Sequence, residues 1–156
     1  MISTTLNWIL EERPCVSGLN QLRNTLGHGY DPDTLISLRT ILDSNGPLDA
    51  LWCLRACDGA ESYARAIVDW CIARAADKTY RDDVVQHSRT IERVEVMAFR
   101  IAFTLVHCAD YAVYTETMSA LGARMRELLA EREQAKWAGY AWLEENGYGA
   151  VRDIDL

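Results

Sequence analysis

Apolar residues recur at steps of three and four along nearly the whole chain, and nowhere do they alternate with polar ones for long enough to propose a sheet. The clearest run is Val84, His87, Ile91, Val94, Ala98, Ile101, Leu105, Cys108 and Ala112. It predicts one continuous helical seam whose start is favoured by Asp82 and Asp83. Met97, Phe99, Ala102, Phe103, Val106, Val113 and Tyr114 are apolar as well, so the second half of that seam is expected to be a central helix buried on several sides. Any break in it belongs between His107 and Ser119.

Turn and cap residues divide the remainder. Ser3 or Thr4 caps a first helix over residues 5–12, stopped by Pro14, and Ser17 caps a second over 18–26, closed by Gly27. Pro32 opens a third, with Leu35, Ile36, Leu38, Ile41 and Leu42 on its apolar face, and Asn45-Gly46 closes it. Pro47 opens a fourth over 48–57, Asp58-Gly59 separates it from a fifth over 60–76, and a last helix runs from 120 to 145 before a tail over 148–156. Short loops make such helices antiparallel neighbours. The expected fold is all-α, a compact irregular bundle of about six to seven helices with a long central one, in a single domain over 1–156.

At 156 residues and 49% hydrophobic content the chain is long enough to bury a core without disulfides or metals. Its net charge of −7 disfavours direct nucleic-acid binding, and the charge is dispersed, only residues 59–81 being net positive. The first dozen residues lack the basic start and apolar core of a secretory leader, and the apolar stretch 98–114 is interrupted by Arg100, His107 and Asp110. A soluble protein of the cytoplasm, with no membrane contact, is expected.

Five cysteines, Cys15, Cys53, Cys57, Cys71 and Cys108, fall in apolar helical contexts and read as reduced core thiols. Cys53 and Cys57 with Cys71, His107 and Cys108 would make a zinc tetrahedron if packing joined them, but no paired Cys-x-x-Cys knuckle is present. His107 and Asp110 are the one pair resembling a metal-dependent hydrolase, and no Glu-x-x-His, Gly-x-Ser-x-Gly or phosphate loop occurs. No cofactor, metal or catalytic residue is therefore expected. Trp52-Cys53 and Trp70-Cys71 repeat one dipeptide 18 residues apart, which predicts indole and thiol in one core with an Arg toward solvent a turn later.

Two segments suit partner binding. Tyr30, Asp31 and Asp33 lie on the glycine-flanked loop 27–33, a recognition turn or simple helix capping. Between residues 131 and 148, Trp137, Tyr140, Trp142 and Tyr148 interleave with Glu131, Glu133, Glu144 and Glu145, as at a protein interface, with about half of the aromatics expected to face the core.

Leu6-Asn7-Trp8-Ile9-Leu10, Pro14-Cys15, Gly18-Leu19, the string from Thr40 to Gly46 and Asp49-Ala50-Leu51-Trp52-Cys53-Leu54-Arg55-Ala56 together resemble a widespread family of small bacteriophage and prophage proteins. The likeness continues through Asp69-Trp70-Cys71 and Ala73-Arg74, covers residues 1–78, and leaves 79–156 as a divergent helical half. It implies phage origin, an accessory role and no catalytic activity. The expectation is a non-enzymatic inhibitor, of anti-CRISPR type, that occludes a host protein or nucleoprotein defence complex in the host cytoplasm. The alternatives are a self-associating accessory protein that forms a homodimer and, behind it, the metal-dependent hydrolase.

Overall fold

The computed structural model describes residues 1–89, 93–108 and 110–147. Ile91 of the seam, and Tyr148 with the tail that follows it, lie outside the described residues. The fold is all-α: eight α-helices and one two-stranded sheet of two residues per strand among the described residues.

The N-terminal half begins at strand β1 (Ser3–Thr4), which pairs antiparallel with β2 (Ile36–Ser37), Ser3 opposite Ser37 and Thr4 opposite Ile36. Thr4 is buried and its hydroxyl donates to the Ala56 carbonyl at 2.6 Å, so this short ladder is anchored in the core. It also corrects the third helix. Residues 32–35 are not helical, because Ile36 and Ser37 are held extended and Ser37 caps the Thr40 N–H, so α3 (Leu38–Asn45) starts six residues after Pro32. Between the strands lie α1 (Leu6–Glu11), capped by Thr5, and α2 (Val16–Leu26), capped by the thiol of Cys15 in place of Ser17. Gly46 at φ +86° turns α3 directly into α4 (Pro47–Cys53), which tightens into a 3-10 turn at Leu54–Ala56.

Helix α5 (Glu61–Ala75) buries Tyr63, Ala64, Ile67, Val68, Cys71 and Ala75. The predicted continuous seam is three pieces. Helix α6 (Arg81–Gln86) ends in a 3-10 turn, His87–Arg89, where the Ser88 hydroxyl takes the Val85 carbonyl at 2.6 Å and competes with the helical ladder. Helix α7 (Val94–His107) is the central one, packed against α4, α5, α6 and α8, with Ala98, Ile101, Ala102, Leu105 and Val106 buried. Helix α8 then begins at Tyr111, nine residues before its expected start, and runs to Glu145.

That length has a consequence. A chain of 156 residues folds to a body roughly 40 Å across. The 35 residues of α8 span about 52 Å at the helical rise, so one end must overhang. The first part is tied down: Leu121 and Met125 are buried, the Tyr63 hydroxyl donates to the Met125 carbonyl at 3.2 Å, and Arg126 meets Asp43 of α3 at 3.0 Å. The Arg39 and Arg126 guanidiniums hold the Asp43 carboxyl below its usual range. Beyond residue 130 none of the described residues is buried, although Lys136, Gly139, Tyr140 and Leu143 are half-buried.

Tyr63→Phe removes the one donor that α5 offers the Met125 carbonyl, and is expected to cost about 1 kcal/mol of stability. Urea unfolding, read as a lower midpoint at unchanged slope, checks this; an unshifted midpoint would show that the bond contributes nothing.

Candidate functional site

The overhang of α8 carries most of the residues that sequence singled out. Trp137 and Trp142 are 60% and 57% exposed, Tyr140 is half-buried, and Glu131, Glu133, Glu144 and Glu145 are exposed. Of the aromatics in this segment, the three described ones do not enter the core: Trp137 and Trp142 are exposed and Tyr140 is half-buried, while Tyr148 lies outside the described residues. Trp137 and Tyr140 pack edge to face with centroids 5.8 Å apart, and Lys136 lies over the Tyr140 ring at 5.6 Å.

Beneath the overhang a groove of about 580 Å³ runs between Glu133, Trp137 and Tyr140 on one side and Met1, Ile2 and Ser37 on the other. Arg39, Arg132 and Lys136 line it too, so this surface is mixed in charge. Glu131 is engaged by Arg124 at 3.5 Å, and Arg132 bonds Ser62 and the Gly59 carbonyl at 3.0 and 3.1 Å. The far wall could not be read from sequence, since its residues stand about a hundred positions away and carry no motif.

Tyr30, Asp31 and Asp33 contribute nothing to that groove. The Tyr30 hydroxyl donates to the Leu35 carbonyl at 3.3 Å, Asp31 accepts from the Asp33 N–H at 3.0 Å, and Asp33 accepts from the Asn7 side chain at 2.6 Å. The first two bonds hold the loop's own shape, and the third stitches it to α1. They do not cap a helix, because Ser37 does that.

The thiols separate into two kinds. Cys53, Cys57 and Cys71 are buried and free, and burial pushes each up to about 12 from an ordinary 9.0. Cys15 and Cys108 are exposed. His107 is exposed, its Nδ1 donating to the Phe103 carbonyl at 2.8 Å and its ring stacked 3.9 Å from that of Phe103. The five candidate ligands for a zinc tetrahedron are thus divided between core and surface, and among the described residues no three His, Cys, Asp or Glu side chains gather into a metal-holding group. No helix among them is long and apolar enough to cross a membrane.

The Trp-Cys dipeptides are also resolved differently from expectation. Each thiol enters the core, while each indole stays half-buried at its edge under an arginine, Arg55 at 4.5 Å from Trp52 and Arg74 at 5.4 Å from Trp70. The arginines are lids on the indoles, with the charge outward.

A second concavity, of about 290 Å³, lies among α1, α2, α3, α4 and α7. Apart from Leu22 and Phe99, all its lining residues belong to five short strings in the first half of the chain, within 6–10, 14–15, 18–19, 40–46 and 49–56. Scattered in sequence, those strings converge in space.

In native protein at about pH 8, a disulfide reagent is expected to modify Cys15 and Cys108 promptly and the other three thiols only on unfolding. Since burial favours the neutral thiol, its contribution to stability is whole below the unfolded value of 9.0 and is lost as pH rises toward about 12. Urea midpoints should therefore fall across that window, and Cys71→Ala should remove part of the fall; a flat profile would contradict burial. Comparison with protein-family models, with curated proteins and with solved structures finds no match for this chain.

Proposed function

We propose that this chain is a non-enzymatic binding protein that docks on a protein partner through the overhang of α8. One observation carries the reading: two tryptophans more than half exposed near the C-terminal end of a helix of 35 residues. Tryptophan is among the residues that dominate interface energies, and two of them on one exposed stretch of helix suit a docking surface. The groove below, with both charge signs and an aromatic wall, suits an occupant of mixed character.

The resemblance of residues 1–78 to phage and prophage proteins supports a finer reading, in which the partner is a host protein or nucleoprotein defence complex and binding inhibits it by occlusion, as an anti-CRISPR protein does. Self-association is the second reading. Ala135, Ala138 and Ala141 flank the exposed indoles and leave a shallow helix face on which the same helix of a second copy could pack.

Trp137→Ala with Trp142→Ala removes the edge-to-face contact with Tyr140 as well as both indoles, so a stability loss of about 1 kcal/mol is expected, small enough to leave the chain folded. In a plaque assay against a host with active CRISPR immunity, the wild-type chain is expected to restore phage growth and the double variant to lose most of that effect. Equal rescue by both would place the binding surface elsewhere. No rescue by the wild type, together with a dimer in light scattering that the double variant converts to monomer, would establish self-association instead.

A further inference from the structure

The smaller concavity offers chemistry that the overhang does not use. Its walls are apolar, from Ile9, Leu22, Ile41, Trp52 and Phe99, and one end is polar, from Asn45 and Asp49. The Asn45 amide is already spent: its Nδ2 donates to the Gly18 carbonyl at 2.8 Å and to Asp49 Oδ2 at 3.0 Å, and its Oδ1 accepts from the Ser44 hydroxyl at 2.6 Å. Asp49 is not spent. Its second oxygen, Oδ1, accepts no hydrogen bond from the described residues, and the carboxylate pairs with no Arg or Lys among them. Arg55 stacks over Trp52 and Phe99 but does not line the space. Gly18 makes the arrangement possible, since a Cβ there would come within 2.8 Å of Asp49 Oδ2 and force the carboxylate out.

An anionic group at one end of an apolar pocket selects for a cation with an apolar body. Size narrows the choice: an apolar cavity of about 150 Å³ holds benzene, so this one takes a ring and a short chain. We infer that the pocket between α2, α3 and α4 binds a small one-ring primary amine, its ring against Leu22, Trp52 and Phe99 and its ammonium donating to Asp49 Oδ1. This site is independent of the α8 overhang, and either can fail without the other.

Titration of the full-length protein with phenethylamine, phenethyl alcohol and phenylacetate, followed by NMR at the Trp52 indole N–H, tests it. The amine is expected to shift that resonance saturably at millimolar concentration or below, with the alcohol about tenfold weaker and phenylacetate weaker still. Asp49→Asn should bring the amine down to the alcohol's affinity while leaving the alcohol unchanged, which shows at once that the variant's pocket is intact. Equal binding of amine and alcohol by the wild type, an amine preference that survives Asp49→Asn, or no saturable shift with any of the three would overturn the inference.

Discussion

The close packing of α5 on α7 is the constraint on which the rest of the molecule depends. Both helices present small residues to the core, Ala64, Cys71 and Ala75 on one and Ala98 and Ala102 on the other, all fully buried. Small side chains let two helix backbones approach closely, and Ile67, Ile101 and Leu105 fill the space on either side. With α7 pressed against α5, its remaining faces are left to α4, α6 and α8, so that a helix of fourteen residues organises the whole body. The buried thiols belong to this logic. A cysteine is a small hydrophobe that fits where leucine would push the helices apart.

The second organising fact is that α8 does two jobs along one axis. Its first turns share the core, and three polar ties hold its middle: the Tyr63 hydroxyl on the Met125 carbonyl, Asp43 on Arg126, and Arg132 on the Gly59 carbonyl and Ser62. Each tie is small, the exposed ion pair least of all. Together they fix the direction in which the helix leaves the body, and so where Trp137 and Trp142 are presented. The groove is a by-product of that direction, roofed by the departing helix and floored by the N-terminal residues that the two-residue ladder holds in place.

The N-terminal half is organised around a different device. Asn45 joins Gly18 of α2 to Asp49 of α4 through a single amide, and Gly18 leaves room for the carboxylate. Pro14, Cys15, Gly18, Asn45 and Asp49 of the five strings therefore acquire a common meaning, since all of them line one pocket. This is a meaning no single string carries.

Much of the secondary structure could be read from local chemistry. Gly27, Gly46 and Pro47 end and open helices where a terminus needs them, and α5 lies within a residue of its expected bounds, because caps and periodicity act over a few neighbouring positions. Two departures have different causes. Ile36 and Ser37 sit in a helical pattern yet are drawn extended by the distant Ser3 and Thr4, whereas the seam over 84–112 is cut at Ser88 by a local bond to Val85; its second break, between His107 and Tyr111, falls where one was expected. The candidate site divides the same way. Alternating aromatics and glutamates marked the end of α8 as surface chemistry, whereas its exposure, the cations of the groove and the convergence of five strings on one pocket arise only when segments far apart in the chain are packed together. Sequence by itself determined an all-α chain, the helix ends at Gly27, Gly46 and Pro47 and the bounds of α5, because those follow from short-range hydrogen bonding and apolar period. Which helices touch, which thiols are dry and which tryptophans meet water were decided by tertiary packing, because burial is a property of neighbours that the chain supplies from elsewhere.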